Sequence, residues 1–249
     1  MTPRIIAHRG DMECFPENTL AAFSGAKEKG ADAIELDVHS SSDGLPIVHH
    51  DYTLERTTNG KGTITERPSQ YNRQLDAGSW YDKKFDNERV PTIEEVFTLL
   101  GQDIRYEIEI RSCEESFLRR LIELVQKHDL AENIEFTSPH AYVLTWLKDK
   151  ADIRTGMFIA TPPVWMPQAT AQKIFIANAL LGKIDVLHCP TTMLSEPLMR
   201  AAKKVNLLIH AADCDTEDQL QQAGHLGVDQ LSTSRLSLAL NYFKKKPNQ

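Results

Sequence analysis

The stretch RIIAHRGDMECFPENTLAAFSGAKEKGADAIELDV, residues 4–38, contains one complete strand–helix–strand unit. Two strand-like apolar runs, at 4–8 and 33–38, flank a segment whose apolar residues recur at helical spacing. Asn18 is a candidate N-cap for this helix and Gly30 a candidate stop. Such a unit is typical of α/β proteins with a parallel sheet.

The same alternation of strand-like and helical runs continues to the end of the chain. Eight such units in 249 residues predict a (β/α)8 TIM barrel, formed as a single domain over residues 1–249. An open, doubly wound sheet is the competing arrangement. The six further strand-like runs lie at 104–110, 133–137, 153–159, 184–188, 206–211 and 228–232.

One stretch interrupts the alternation, at about residues 51–91. It is polar and has no strong helical period, and a structureless loop of this length is rare in a compact domain unless it is functional. We interpret it as an insertion after the second strand that lies over the mouth of the barrel. Four of its aromatic residues are candidates for a small core or a cover over a ligand; they are Tyr71, Trp80, Tyr81 and Phe85.

Composition excludes several classes of function. A formal net charge of −7 argues against a nucleic-acid partner, which would need concentrated Lys and Arg. No apolar run approaches the roughly 20 residues of a membrane helix, and no signal peptide is visible. The four cysteines are scattered without CxxC spacing, as in proteins of a reducing compartment, so a cytoplasmic location is expected. A homo-oligomer is compatible with the sequence.

Two acidic strands carry candidate metal ligands. Glu35 and Asp37 are separated by one residue, so a strand would point both carboxylates to the same face. In YEIEIRS, Glu109 could complete the set, while Arg111 could bind an anion or pair with a glutamate. Clustered carboxylates favour one hard divalent ion, Mg²⁺ or Ca²⁺. Alternating exposed acids on an edge strand would show the same pattern.

Two histidines at the ends of apolar runs are candidates for proton transfer. His8 ends the first strand, and His49, His50 and Asp51 follow the apolar run PIV. A histidine held by a carboxylate is suited to acid–base work near neutral pH. Arg9, beside His8, offers a planar cation that matches phosphate. His188 and His210 also end strand-like runs, and either could be purely structural.

A divalent metal, an arginine and two histidines together favour phosphodiester chemistry over carbonyl or hydride chemistry. The chain contains no GxGxxG, Walker loop, GxSxG or HExxH. Nucleotide cofactors, serine hydrolysis and zinc proteolysis are therefore not first choices.

An ordered set of motifs resembles the glycerophosphodiester phosphodiesterases. The motifs are AHRG, PENTLAAF, GADAIELDVHSSSDGLPIVHHDYTLERTTNGKG, LDAGSW, VPTIEEV and EIEIR, which are dense over residues 4–111. The resemblance implies a (β/α)8 barrel with an insertion after the second strand. It also implies hydrolysis of a small glycerophosphodiester, such as glycerophosphocholine or glycerophosphoethanolamine, to glycerol 3-phosphate and an alcohol.

The resemblance also implies roles for particular residues. His8 and His50 match the family's acid/base histidines, and Arg9 matches its phosphate-binding arginine. Asp51 matches the aspartate of its His–Asp pair. Asn18, in the PENTL motif, is expected to tie its loop to the site. The metal carboxylates correspond to Glu35, Asp37 and Glu109. For the mechanism, we assign His8 as base and His50 as acid.

Three departures separate this chain from the family pattern. Arg111 stands where a lysine is usual, so a phosphate contact there is expected with a different geometry. The late segments AADC (211–214) and GVDQLSTSRL (227–236) differ from the usual WTVN-like and GVDGIITDRP-like segments, so an aromatic wall of the pocket is expected to be missing. Two alternatives therefore stay open: a lysophospholipase D-like enzyme, and a non-catalytic barrel that binds phosphate ligands.

Overall fold

Strands and helices alternate along residues 2–244, the part of the chain described by this computed structural model. The strands are β1 (Arg4–Ala7), β2 (Ala33–Ser40), β3 (Pro46–Val48), β4 (Arg105–Ile110), β5 (Ile134–Ser138), β6 (Arg154–Phe158), β7 (Val186–Pro190), β8 (Leu208–Ala212) and β9 (Gln230–Thr233). The helices are α1 (Leu20–Lys29), α2 (Ser69–Asn72), α3 (Ile93–Leu100), α4 (Glu115–Lys127), α5 (Ala141–Lys150), α6 (Gln168–Leu181), α7 (Glu196–Lys204), α8 (Glu217–Leu226) and α9 (Leu236–Lys244). Within this range, the structure contains no helix with the length and apolar character needed to span a bilayer.

A closed barrel of parallel strands forms the centre of the molecule. Strand β1 pairs in parallel with both β2 and β9, and this double pairing closes the sheet on itself. Going round from β1, the other members follow in the order β2, β4, β5, β6, β7, β8 and β9. The predicted (β/α)8 TIM barrel is confirmed, and an open doubly wound sheet is excluded because its two edge strands would stay unpaired.

The main hydrophobic core lies between the strands and the surrounding helices. Ile34, Leu36 and Val38 of β2 are fully buried there, as the alternation predicts. Glu35 and Asp37, from the other face of the same strand, are also buried, but they point into the barrel. The barrel interior near its carboxyl end is therefore polar. Packing alone would not place charged side chains there.

The predicted insertion after the second strand is present. Strand β3 first returns antiparallel to β2, and the chain then runs irregularly from 49 to 92, with α2 as its only α-helix. Its small core is aliphatic, not aromatic; it contains Ile47, Leu54, Ile64, Leu75, Ala77 and Val90. Of the four aromatic candidates, Trp80, Tyr81 and Phe85 form a separate edge-to-face cluster with ring centroids 5.8 Å apart, whereas Tyr71 is partly exposed. A cover over a ligand stays a prediction. Tyr81 also joins the insertion to the first loop, because its hydroxyl donates to the Glu13 carbonyl at 3.0 Å.

The start of α1 corrects one expectation from the sequence. Its N-cap is Thr19, whose hydroxyl accepts a hydrogen bond from the Ala22 amide, and not Asn18. Asn18 instead has a positive φ of 57°, and its side chain turns towards the barrel mouth. Gly30 ends the helix in the left-handed conformation, as predicted.

Candidate active site

Three carboxylates meet at the carboxyl-end mouth of the barrel. Glu35 and Asp37 come from β2 and Glu109 from β4, and the parallel register sets Asp37 directly beside Glu109. One oxygen from each residue lies within 4.8 Å of the others. An all-oxygen set of this kind fits Mg²⁺ or Ca²⁺.

The electrostatics of this group also fit a cation. Burial and the neighbouring Asp37 raise the pKa of Glu109 to about 7, and burial with the same neighbour raises the pKa of Glu35 well above its usual range. The pKa of Asp37 is lowered although burial opposes this, because Arg111 and Arg9 lie beside it. Two buried acids and the partly buried Glu109 therefore have too few cationic partners, and a divalent ion would stabilise their ionised forms.

Arg111 and Asn18 hold Asp37 from two sides. Arg111 donates to Asp37 Oδ1 from Nε at 3.0 Å and from Nη2 at 2.8 Å. Its Nε also lies 3.0 Å from Glu109 Oε1, so the arginine pairs with both carboxylates. Asn18 Nδ2 donates to Asp37 Oδ2 at 2.9 Å, and this contact explains the unusual backbone of Asn18.

His8 stands next to the carboxylates at the end of β1. Its Nε2 is 3.9 Å from Glu35 Oε2, and its Nδ1 is hydrogen-bonded to Ser234 Oγ at 3.0 Å. The Ser234 amide donates to Asp215, which fixes the loop that carries the serine. Burial and the adjacent Arg9 lower the pKa of His8, so its neutral form is favoured near pH 7.

Arg9 links the first loop to the carboxylates and to the insertion. Its backbone amide donates to Glu35 Oε2 at 2.9 Å, and its Nη1 donates to Glu17 Oε1 at 2.9 Å. Arg56, from the insertion, donates to both oxygens of Glu17 at 2.8 Å. The next residue, Gly10, has φ 86°, and a Cβ there would lie 2.7 Å from Ala22, so the turn after Arg9 requires glycine.

His50 is oriented by an aspartate that is itself held by an arginine. His50 Nδ1 lies 2.6 Å from Asp51 Oδ1. Arg56 donates to both oxygens of Asp51, at 2.6 and 2.9 Å, and holds the pKa of that carboxyl well below its usual range. The His50 carbonyl contacts His39 Nε2 at 3.1 Å, which restrains the backbone as well. Both the ring and the main chain of His50 are thus fixed.

A cavity of about 210 Å³ opens beside His8 and the carboxylates. Ala212 and Asp213 line it where the sequence predicted a missing aromatic wall, and Phe158 and Ile159 of the β6 end supply apolar surface instead. The full lining is His8, Glu35, Glu107, Glu109, Phe158, Ile159, His188, Pro190, Ala212, Asp213 and Ser232. Such a space can admit a small polar ligand with a short apolar part.

Sequence reasoning missed three residues of this site. Glu17 and Arg56 connect Arg9 with Asp51, and Ser234 contacts His8. Glu17 is the only acidic residue of the PENTL motif, and the sequence offered no other sign of its role. Ser234 could not be found from local patterns, because it contacts His8 across a separation of 226 residues.

The comparisons with known proteins agree with this geometry. A sequence model of the glycerophosphoryl diester phosphodiesterase family matches residues 8–238. The chain belongs to this family. The glycerophosphodiester phosphodiesterase of Caldanaerobacter subterraneus subsp. tengcongensis is 41% identical over 252 residues, which cover 98% of this chain and 99% of that protein. The Bacillus subtilis glycerophosphodiester phosphodiesterase is 37% identical, covering 92% of this chain and 82% of the relative.

Solved structures share the family fold over nearly the whole chain. An Oleispira antarctica phosphodiesterase, solved in complex with the product sn-glycerol-3-phosphate, superposes with a TM-score of 0.86. The two sequences are 26% identical, and the match covers 98% of this chain and 97% of the Oleispira antarctica chain. The glycerophosphodiester phosphodiesterase of Agrobacterium tumefaciens gives a TM-score of 0.81 at 27% identity, covering 96% and 99% of the two chains. The chain is therefore a glycerophosphodiester phosphodiesterase.

Proposed function

We propose that this enzyme hydrolyses small glycerophosphodiesters, such as glycerophosphocholine and glycerophosphoethanolamine, to sn-glycerol 3-phosphate and an alcohol. The observation that carries the proposal is the position of His8, 3.9 Å from Glu35 at the edge of the three-carboxylate group. A proton-transfer group beside a cation site is an arrangement that suits phosphodiester cleavage.

Glu35, Asp37 and Glu109 would hold one divalent ion, Mg²⁺ or Ca²⁺. Such an ion, when bound, supplies positive charge that stabilises negative charge on phosphate oxygens. Arg9 adds a second, fixed cation at the same mouth, since Glu17 holds its guanidinium group. Arg111 would orient Asp37 and offer its free N–H groups to the same phosphate.

His8 acts as the general base in this proposal. With the Nδ1 proton donated to Ser234 Oγ, Nε2 keeps its lone pair on the side of the carboxylates. It takes the proton of the nucleophile, which is either water or the 2-hydroxyl of the substrate's glycerol. The 2-hydroxyl would give a cyclic phosphate that water then opens, and an internal nucleophile has a high effective molarity.

His50 acts as the general acid. It gives its proton to the leaving alcohol oxygen as the phosphorus–oxygen bond breaks, and water later restores both histidines. Asp51 positions the ring through the 2.6 Å contact with Nδ1, and Arg56 keeps Asp51 ionised and in place.

Turnover of glycerophosphocholine by purified protein, followed by release of glycerol 3-phosphate, tests the proposal. We expect His8→Ala and His50→Ala to lose most activity, with His225→Ala on α8 as a matched control that keeps it. Chelation should abolish turnover, and Mg²⁺ or Ca²⁺ should restore it in wild type but not in Glu35→Gln. Glu123→Gln, on the outer surface of α4, is the matched carboxylate control. Near-normal turnover by either His8→Ala or His50→Ala would contradict the assigned roles.

A lysophospholipid is the second candidate substrate, and a specific feature favours it. An apolar groove of about 740 Å³ runs between α5 and α6, and Phe158 and Ile159 line both this groove and the 210 Å³ cavity. A glycerophosphodiester that carries an acyl chain could place its head in the cavity and its chain along the groove.

Two leucines near the groove provide a test of this second candidate. Leu181 lines the groove and is 83% exposed, whereas Leu180 is 50% exposed and does not line it. If lysophosphatidylcholine is a substrate, Leu181→Asp should slow its turnover without affecting glycerophosphocholine, and Leu180→Asp should affect neither. No turnover of lysophosphatidylcholine by wild type would exclude the candidate.

The four cysteines support a cytoplasmic location, which we also propose. All four are free thiols, and two of them, Cys14 and Cys113, are exposed. Localisation of a tagged chain by cell fractionation tests this.

A further inference from the structure

A second group of titratable side chains lies deeper in the barrel, and the proposed mechanism uses none of it. Its members are Glu107 of β4, Glu135 of β5, His188 of β7 and His210 of β8. The parallel register places Glu107 directly beside Glu135, and His188 directly beside His210. All four side chains are more than nine-tenths buried. The four residues, called here the interior cluster, therefore form one layer across the lumen.

Contacts within the interior cluster are short and cross-connected. His188 Nε2 lies 2.7 Å from Glu135 Oε1, and His188 Nδ1 lies 3.5 Å from Glu107 Oε1. His210 Nδ1 is 3.2 Å from Glu107 Oε2, and the two imidazole rings stack with centroids 4.0 Å apart. One donor atom from each residue lies within 4.8 Å of the other three. Gln230 donates to both oxygens of Glu135 at 3.1 Å, which orients that carboxylate.

Three atoms of the interior cluster have no hydrogen-bond partner. They are Glu107 Oε2, His188 Nδ1 and His210 Nε2; each is buried, and the contacts of 3.2 and 3.5 Å given above for the first two are not aligned as hydrogen bonds. Buried polar atoms are nearly always satisfied in folded proteins, so a set of three in one layer calls for a ligand. Every one of these atoms can ligate a metal ion in its deprotonated form.

The charge of the layer is also unbalanced. Burial lowers the pKa of His210 to about 4, so its imidazole is neutral at pH 7. Among the described residues, Glu107 and Glu135 form ion pairs only with His188 and His210, and a divalent cation would stabilise two buried carboxylates in this setting.

Gly156 on β6 provides room for two side chains of the interior cluster. A Cβ on Gly156 would overlap His188 Nε2 and would lie 2.7 Å from Glu135 Oε1. The backbone of β6 can therefore approach these two side chains closely only because residue 156 is a glycine. From above, Glu107 and His188 line the 210 Å³ cavity, which provides an entry path from the barrel mouth.

We propose that Glu107, Glu135, His188 and His210 form a second metal site, which takes a divalent transition-metal ion and fits Zn²⁺ best. Zn²⁺ prefers four nitrogen, sulfur or oxygen ligands in a tetrahedron, with bonds of about 2.0–2.2 Å and hence ligand separations of about 3.4 Å. One donor atom from each of the four residues lies within 4.8 Å of the other three, so only a small contraction would bring the four donors to that separation. Mg²⁺ and Ca²⁺ disfavour imidazole ligands. The all-carboxylate site at the mouth should therefore prefer Mg²⁺ or Ca²⁺, and the interior cluster should prefer Zn²⁺.

Bound Zn²⁺ would join four strands of the barrel through their side chains. An ion that binds only the folded state raises its stability in proportion to its affinity and concentration. Zn²⁺ at the interior cluster would also restrain β4, which carries Glu109 two residues after Glu107. The expected role is structural, and it does not depend on the catalytic roles proposed above.

Metal counting on the whole protein tests this proposal. Protein stripped with chelator is loaded with Zn²⁺ in excess Mg²⁺, desalted and analysed by inductively coupled plasma mass spectrometry. We expect Glu35→Gln to retain one equivalent of Zn²⁺ per chain and to show a Zn²⁺-dependent rise in Tm. His188→Asn and His210→Asn should each lose this equivalent and the rise in Tm, whereas His225→Asn should keep both.

Loading Glu35→Gln with Co²⁺ distinguishes the two metal sites, because this variant leaves all four residues of the interior cluster unchanged. Glu35→Gln should show the visible absorption bands of tetrahedral Co²⁺, and Zn²⁺ should displace them. If Glu35→Gln binds no Zn²⁺ and shows no such bands, the interior cluster is a metal-free hydrogen-bonded network and the proposal is wrong. Equal Zn²⁺ contents in folded His188→Asn and in wild type would also overturn it. Since both readouts are independent of turnover, a failure here leaves the catalytic proposal intact.

Discussion

Asp51→Ala should slow turnover far more than it destabilises the fold. The hydrogen bond of 2.6 Å between Asp51 and His50 Nδ1 orients the ring that we assign as general acid. A hydrogen bond to a charged group contributes about 1.5–3 kcal/mol. If all of it is lost from the transition state, kcat falls by about 10- to 150-fold. KM should change little, because Asp51 does not line the substrate cavity.

The effect of Asp51→Ala on stability should be small, since its ion pair with Arg56 is partly exposed. Such pairs contribute about 0–1 kcal/mol to the free energy of unfolding. Steady-state kinetics with glycerophosphocholine, together with urea unfolding of the same preparations, separates the two effects. Asp86→Ala, another exposed acid of the insertion, is the matched control and should leave kcat unchanged. If Asp51→Ala keeps kcat within about twofold of wild type, Asp51 does not position His50 for proton transfer.

Three further substitutions test other parts of the structure. Gly78→Ala would place a Cβ onto the Phe85 carbonyl oxygen, so the free energy of unfolding measured in urea should fall by about 1–3 kcal/mol; an unchanged value would contradict this packing. Arg111→Lys replaces two donors to Asp37 by one, so metal-free protein should lose about 1 kcal/mol of stability by the same assay, and equal stability would show that the paired geometry contributes nothing. Asp43 has its pKa lowered to about 2 from 3.8 by hydrogen bonds from Ser41 and Ser69, so its ionised form stabilises the fold above pH 4 and this stabilisation is lost as the pH falls towards 2. The stability difference between wild type and Asp43→Asn, measured in urea across this range, should accordingly close with falling pH; a constant difference would refute the assignment.

The mouth of the barrel and the interior cluster illustrate two ways to handle buried charge. At the mouth, Arg9 and Arg111 already offset part of the negative charge of three carboxylates. In the interior cluster, Glu107 and Glu135 contact one amide and two imidazole groups. In both places burial penalises the ionised carboxylates, and a bound cation would stabilise them.

The sequence alone determined the features that depend on local periodicity. Alternation within AIELDV placed Glu35 and Asp37 on one strand face and the apolar residues on the other, as observed. Repetition of strand and helix predicted the barrel, and the motif-based resemblance indicated the family. These features depend on the local geometry of a strand or a helix, which a short segment of sequence is enough to specify. The three-residue strand β3 was too short to give such a signal.

Only the tertiary structure decided which distant residues meet. Asn18 was expected to cap a helix and to tie its loop to the site, but only the structure shows that a positive φ turns it from the cap position to Asp37 on β2. Ser234 reaches His8 because β9 closes the barrel against β1. His188 and His210 gave no clear signal in the sequence, yet strand register stacks them beside two glutamates in the lumen. Register and loop conformation depend on how the whole barrel packs, so no local pattern specifies these contacts.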